Sequence, residues 1–170
     1  MLIRFLQNNL LVSFVLTAVR IYLGWSWLKA GWGKIAGGSF SAEGFLLGAV
    51  KKAGGENPSV QPWWADFLQS VAIPNVGIFN ILVPWGELLV GLGLILGSFT
   101  AFAALMGMLM NFAYMFSGTT STNPQMVVME LLIVAAAANA SKIGVDRWFL
   151  PYLQHVLNPR KSKDPSLKSA

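Results

Sequence analysis

The sequence predicts an all-α protein, an integral membrane four-helix bundle, from three observations. Of its 170 residues, 55% are hydrophobic and only 11% are charged, whereas a soluble domain carries roughly a quarter charged residues. Four apolar segments, at about residues 10–35, 76–96, 100–116 and 124–140, each come near the ~20 residues that cross the hydrocarbon core of a bilayer. No polar segment is long enough to bury a core of its own, which excludes a large soluble domain.

The first apolar segment contains a permanently charged side chain, Arg20, in an otherwise apolar run. The run continues past Arg20 and no A-x-A cleavage site follows, so we expect a membrane span rather than a signal peptide. Helical spacing places five residues within roughly 40° of one line: Arg20, Gly24, Trp27, Gly31 and Lys34. Lys29 falls on the opposite face. A charge on this stripe requires a partner from another helix.

The connection between the first and second spans, residues 37–74, is too polar to span a bilayer and contains several Gly and Pro breakers. Two short helices are expected within it. Ser41 can cap one that runs to about Lys52, and a second begins near Pro62 with Trp63 and Trp64. Tryptophan is typical of the headgroup level, so we interpret them as interfacial helices; a lid over the outer mouth of the bundle is the alternative.

Each of the other three apolar segments carries a polar side chain away from its ends that is unusual in lipid. The second contains Glu87, the third Asn111 and the fourth Glu130, and Met126 shares a helical face with Glu130. A lone Asn is more often a hydrogen-bonding contact between helices than part of a binding site. Ionisable residues inside a membrane, in contrast, indicate function by default.

The depths of these residues predict that they meet. Counting ~1.5 Å per residue from the segment ends places Arg20, Glu87, Asn111 and Glu130 in one layer between the midplane and the outer leaflet. We expect one glutamate to pair with Arg20. The other is expected to take up a proton, or to pair instead with a lysine, Lys34 or Lys29.

Two interpretations of this cluster remain open. An Arg–Glu pair with amide neighbours can simply fix the register of the helices. Alternatively, the cluster is a pocket for a small polar or quinone-like molecule, in which Arg20 and Trp27 supply a donor and an aromatic face. A protonatable Glu would then move protons, and three methionines would form a pliable wall: Met108, Met115 and Met126.

Charge and cysteine content bound the location and the chemistry. The net charge is +5, and half of the twelve basic residues lie between Lys142 and Lys168. We expect a membrane domain over residues 1–147, followed by a basic tail, residues 148–170. The positive-inside rule therefore predicts a multi-pass protein of the cell membrane with both termini in the cytoplasm, rather than a nucleic-acid-binding protein. The tail is expected to be amphipathic and then disordered. There is no Cys, and with a single histidine, His155, no metal or haem is expected.

The motifs resemble those of the DoxX family of four-helix membrane proteins, which includes the DoxD-type subunit of thiosulfate:quinone oxidoreductase. The resemblance covers most of residues 20–148 and rests on three patterns and one acidic residue: Arg20-x3-Gly24-x6-Gly31-x2-Lys34, Gly86-Glu87-x3-Gly91, Glu130 and the sequence IGVDRW at 143–148. The long first connection is nearer to the DoxD-like arrangement. The resemblance implies a membrane redox context and marks Arg20, Lys34, Glu87 and Glu130 as the residues to test.

These arguments predict an integral membrane component of a quinone-linked oxidoreductase, without deciding whether it is an enzyme by itself. Its electrons would come from the substrate or from a partner redox subunit. Two alternatives stay open: a non-catalytic scaffold for a partner redox protein, or a small-molecule transporter, which would require a homo-oligomer.

The predicted site follows from the same reasoning. Glu87 and Glu130 are the expected catalytic residues. The residues expected to contact a quinone or a small anionic substrate are Arg20, Trp27, Lys34, Asn111 and Met126.

Overall fold

The computed structural model describes residues 2–157, and every regular element in this range is helical. The α-helices, with their bounds, are α1 (Leu2–Asn8), α2 (Leu10–Ala36), α3 (Glu43–Lys51), α4 (Pro62–Phe67), α5 (Val76–Leu96), α6 (Thr100–Phe116), α7 (Asn123–Ala136) and α8 (Asp146–Leu157). A π-helical turn, Leu68–Ala72, extends α4, and a 3₁₀ turn, Ala137–Asn139, extends α7. The predicted all-α class is confirmed. The basic end of the predicted tail, residues 158–170, lies outside the described residues.

The four long helices α2, α5, α6 and α7 lie where the sequence places its four apolar segments. Within residues 2–157, α2 and α5 are long and apolar enough to cross a membrane, and α6 and α7 are shorter apolar helices. Large hydrophobic side chains are exposed on the outward faces of all four, for example Trp25, Leu82, Leu109 and Leu131. Such extensive exposed apolar surface is atypical of a soluble monomer and indicates contact with lipid or with another protein.

Helices α2 and α5 are antiparallel, and glycines bring their backbones together. A Cβ atom built on Gly31 would lie 2.5 Å from the Leu88 nitrogen, and one built on Gly24 would lie 2.9 Å from the Gly91 carbonyl oxygen. Neither position has room for a side chain, so the Gly24 and Gly31 spacing is a packing requirement. This contact also fixes the register between the two helices.

The connection between α2 and α5 folds back over one end of the four long helices, which we call the connection end. Helix α3 and the α4 segment share a small apolar core that contains Leu46, Ala49 and Leu68. Polar contacts fasten this connection to α6: the Trp64 indole donates to the Ser117 hydroxyl at 2.9 Å, and the Lys52 ammonium donates to the Gly118 carbonyl at 3.0 Å. The two predicted short helices are therefore present.

The opposite end, the tail end, is closed by the segment that follows α7. The Asp146 carboxylate accepts hydrogen bonds from the Phe99 and Thr100 nitrogens, at 2.7 and 2.8 Å, and so caps the start of α6. The Asp146 nitrogen donates to the Gly97 carbonyl at 2.8 Å. The IGVDRW sequence thus binds the α5–α6 turn to the beginning of α8.

Candidate functional site

A cavity of about 380 Å³ lies at the connection end, between the α3–α4 connection and the ends of α2, α5 and α6. This volume is within the usual range of small-molecule sites. Its walls are largely aromatic and aliphatic. The aromatic lining residues are Phe40, Phe45, Trp64, Phe67, Phe79 and Tyr114. The cavity can therefore enclose an apolar ring.

The two charged residues of the cavity and one tyrosine form a compact polar cluster, which we call the floor: Lys34, Glu87 and Tyr114. The Lys34 ammonium donates to Glu87 Oε2 at 2.6 Å, and the Tyr114 hydroxyl donates to Glu87 Oε1 at 2.7 Å. Lys34 also lies 5.7 Å from the centre of the Phe40 ring. Among the described lining residues, Lys34 and Glu87 are the only charged ones. The floor is therefore close to neutral overall.

The positions of Lys34 and Gly31 on α2 explain how the floor forms against α5. Lys34 belongs to the last turn of α2, and its side chain extends to Glu87 on the neighbouring helix α5. The absence of a side chain at Gly31 lets α5 approach within reach. Glu87 is only 2% exposed while Lys34 is 27% exposed, so the lysine retains access to the cavity. Its ammonium has two further N–H donors.

A second polar cluster, the inner triad of Trp27, Asn111 and Glu130, is fully enclosed by the helices. The Trp27 indole donates to Glu130 Oε1 at 2.9 Å, and the Asn111 amide nitrogen donates to Glu130 Oε2 at 2.9 Å. A Cβ atom on Gly107 would lie 2.5 Å from Glu130 Oε1, so this glycine makes room for the carboxyl group. The structure thus brings together three of the predicted site residues from three helices.

Arg20 does not pair with a glutamate, and that expectation is wrong. Its guanidinium donates to the carbonyl oxygens of Ala140 at 3.4 Å and Ile143 at 2.6 Å, at the tail end. The alternative partner for a glutamate, Lys34, is the one found, on Glu87. Lys29 is exposed on the opposite face of α2, as predicted.

The predicted common depth fails because the ends of α2 and α5 are not level. Gly31 packs against Leu88 and Gly24 against Ile95. In this register Arg20 is level with the end of α5, about 15 Å along the axis from the level of Glu87. Arg20 therefore binds carbonyl groups near the turn after α5, and its hydrogen bonds go to neither glutamate.

The prediction that methionines form the wall of the pocket is also wrong. The lining contains none of the three predicted methionines, and aromatic side chains take their place. Met126 is buried in the main core. On α7 it lies one turn from Asn123, which lines the cavity, and one turn from Glu130. Met126 therefore packs in the core and is not part of the cavity wall.

Sequence reasoning missed Tyr114, the third member of the floor. A tyrosine in an apolar helix has no distinctive signal of its own. Its position was nevertheless available, because Tyr114 follows Asn111 by three residues and so shares its helical face. The aromatic wall was missed for a related reason: it comes from the connection, which was interpreted as interfacial.

The chemistry available at the site is that of proton exchange and of hydrogen bonding to an oxygen atom. The floor offers ammonium donors beside a carboxylate, and the inner triad holds a further carboxyl group. Within the described part of the chain, no group of three or more His, Asp or Glu side chains is arranged to bind a metal ion. With no Cys in the sequence, electron transfer through thiols of this chain is excluded.

Comparison with known proteins identifies one family. The DoxX family model matches residues 15–120, which include most of α2, the whole connection, α5, α6 and the floor. The inner triad is only partly included, because Glu130 follows the matched region. Neither a curated protein nor a solved structure matches the chain.

Proposed function

We propose a function for this chain, which belongs to the DoxX family of membrane-associated proteins. It is a four-span membrane component of a quinone-linked oxidoreductase. Its cavity binds the quinone ring. The finer DoxD-like assignment, to the thiosulfate:quinone oxidoreductase type, is part of this proposal. The observation that carries it is the floor, a Lys–Glu–Tyr cluster in a cavity whose walls are largely aromatic and aliphatic.

The membrane part of the proposal rests on the apolar exteriors of the four long helices. At ~1.5 Å per residue, α2 and α5 extend over roughly 40 and 32 Å, enough to cross the hydrocarbon core. Helices α6 and α7 are shorter, about 25 Å and less, and pack against the longer pair. The basic residues near the tail end support an orientation with both termini in the cytoplasm. The cavity then opens in the outer half.

The ligand is proposed to be a neutral ring with an oxygen acceptor rather than a small anion. Both would accept hydrogen bonds from Lys34, but Glu87 already neutralises its charge. Bringing a second anion beside Glu87 in an apolar cavity is unfavourable. A quinone carbonyl avoids that cost, and its ring can pack against aromatic residues such as Phe40 and Trp64.

In this scheme Lys34 donates a hydrogen bond to one quinone oxygen, and Glu87 relays protons from the aqueous phase to the reduced quinone. Reduction of a quinone to a quinol consumes two electrons and two protons. The electrons come from a substrate oxidised by a partner redox subunit, because this chain has no thiol pair or haem ligation of its own. Lys34 also stabilises the negative charge that develops on the oxygen.

Quinone binding by purified protein tests the proposal. A short-chain quinone analogue is titrated into the protein in mild detergent while tryptophan fluorescence is recorded, because Trp64 lines the cavity. We expect saturable quenching that is weakened about tenfold or more by Lys34→Met. The matched control is Lys29→Met, which removes an exposed lysine from the same helix.

Three outcomes would contradict the proposal: no saturable binding, equal weakening by Lys29→Met and Lys34→Met, or displacement of the quinone by millimolar thiosulfate. The last result would instead favour a site for small anions. Normal quinone binding with unchanged affinity in Lys34→Met would place the ring elsewhere on the protein.

A further inference from the structure

The carboxyl group of Glu130 is enclosed without a charged partner. Its residue is 0% exposed, and its two oxygens accept hydrogen bonds from the neutral groups of Trp27 and Asn111. The groups around it come from the neighbouring helices: Trp27 of α2 and Asn111 of α6 donate to it, and Gly107 of α6, which packs beside Val90 of α5, leaves space for Oε1. None of these is charged or titratable. On α2, Lys34 shares the face of Trp27 but is bound to Glu87, and Lys29 is exposed on the opposite face.

Burial of an unpaired carboxylate among apolar helices is strongly unfavourable, whereas a neutral carboxylic acid avoids most of that cost. Glu87, equally buried, solves the same problem differently by pairing with Lys34. The two glutamates are therefore in contrasting environments. One can remain ionised inside the bundle, and the other is better accommodated with a proton.

The amide of Asn111 can serve both protonation states of Glu130. Its nitrogen donates to the carboxyl group, while its oxygen is buried and has no hydrogen-bond partner among the described residues. The oxygen and nitrogen of an amide have nearly the same shape, so their assignment can be exchanged by a half-turn. After such a turn the amide oxygen accepts a hydrogen bond from a protonated Glu130. Because the oxygen has no other bond to lose, this half-turn breaks no second hydrogen bond.

We propose that Glu130 is a proton-binding site that rests as a neutral acid hydrogen-bonded to the Asn111 amide oxygen, and that the amide turns when the proton leaves. The Trp27 indole, which can only donate, holds the other carboxyl oxygen in both states. The existence of this site does not depend on the proposed quinone; its role as a proton store for the cavity does rest on the proposed function.

The inner triad lies close enough to the floor along α2 and α6 for Glu130 to act as a proton store for the cavity. Asn111 is three residues from Tyr114, which donates to Glu87 in the floor, and Trp27 is seven residues from Lys34. Both pairs share a helical face. In this role Glu130 supplies one of the two protons that the quinone takes up when the partner redox subunit delivers electrons, and it is protonated again from the aqueous phase.

Infrared spectroscopy of the resting protein tests the proposal without any ligand. At neutral pH we expect a C=O stretching band of a protonated carboxylic acid that shifts when H₂O is replaced by D₂O. Glu130→Gln should abolish this band, while Glu130→Asp should keep it at a shifted frequency. The matched controls Glu87→Gln and Glu43→Gln, the latter at an exposed position, should leave it unchanged.

Asn111→Leu tests the role of the amide: the band should remain but shift in frequency, because the acid loses its acceptor. The proposal is overturned if wild-type protein shows no such band, if the band survives in Glu130→Gln, or if Asn111→Leu leaves its frequency unchanged. These results differ from a failure of the proposed function. If the protein shows the band but binds no quinone, the proton-binding site stands, and its role as a proton store for quinone reduction is ruled out.

Discussion

Lys34 and Glu87 form an ion pair at 2.6 Å between the last turn of α2 and the middle of α5. The two partners differ in exposure, because the carboxylate is enclosed and the ammonium extends towards the cavity. The consequences of removing each partner are therefore unequal. This asymmetry links the stability of the bundle to the chemistry of the floor.

Removing the lysine should be more damaging than removing the charge of the glutamate. Lys34→Met leaves the Glu87 carboxylate enclosed and unpaired, which we expect to cost about 3 kcal/mol, at the low end for breaking a buried pair. Glu87→Gln leaves a partly exposed ammonium and should cost less. The double variant should recover most of the loss. Chemical unfolding in detergent measures all three, and equal destabilisation by both single variants would contradict the asymmetry.

Tyr114 should contribute to ligand affinity through Glu87. Tyr114→Phe removes the hydroxyl that donates to Glu87 Oε1, a hydrogen bond to a charged group worth about 1.5–3 kcal/mol. The carboxylate then competes more strongly for Lys34, so we expect quinone affinity to fall about tenfold. Tyr22→Phe, at a position that is 60% exposed, is the control. Unchanged affinity in Tyr114→Phe would remove the tyrosine from the site.

Substitution by alanine should affect stability differently at Gly31 and Gly33, two glycines of α2 that lie two residues apart. Gly31→Ala places a Cβ atom 2.5 Å from the Leu88 nitrogen, whereas a Cβ atom on Gly33 meets nothing within 4 Å. We expect Gly31→Ala to destabilise the protein by about 1–3 kcal/mol and to weaken quinone binding, because α5 and Glu87 move away. Gly33→Ala should be neutral or slightly stabilising. Thermal unfolding compares them; similar melting temperatures would refute the close contact.

Asp146 should stabilise the start of α6 from a distant part of the chain. Asp146→Ala removes the acceptor of the Phe99 and Thr100 nitrogens, with an expected loss of about 1–2 kcal/mol. Asp66→Ala, at an exposed position, controls for the loss of an acidic side chain. Unfolding in detergent provides the measurement. If both variants unfold alike, the cap has no energetic role.

The absence of native Cys makes topology directly testable. Single cysteines are introduced by Glu56→Cys, in the connection between α2 and α5, and by Ser162→Cys, in the basic tail. In intact cells a membrane-impermeant maleimide should label the first and not the second, and disruption of the membrane should make both reactive. Labelling of the tail in intact cells would contradict the cytoplasmic termini.

Local periodicity predicted the helices and the inward stripe of α2 well, because the spacing of polar and small residues within one helix needs no knowledge of its neighbours. Partners across helices were harder to predict. Arg20 was assigned to a glutamate because depth was counted from segment ends, whereas the contacts of Gly24 and Gly31 with α5 set the actual register. Tyr114 was overlooked because its role depends on Glu87 being opposite.

The fastening of the connection to the end of α6 has a mechanical consequence. Trp64 and Lys52 hold Ser117 and Gly118, only three and four residues beyond Tyr114. A ligand that displaces the connection between α2 and α5 pulls on the final turn of α6. Tyr114, whose hydroxyl donates to Glu87, belongs to that same turn. A ligand that enters from the connection end would therefore disturb the hydrogen bond between Tyr114 and Glu87 before it reaches the carboxylate.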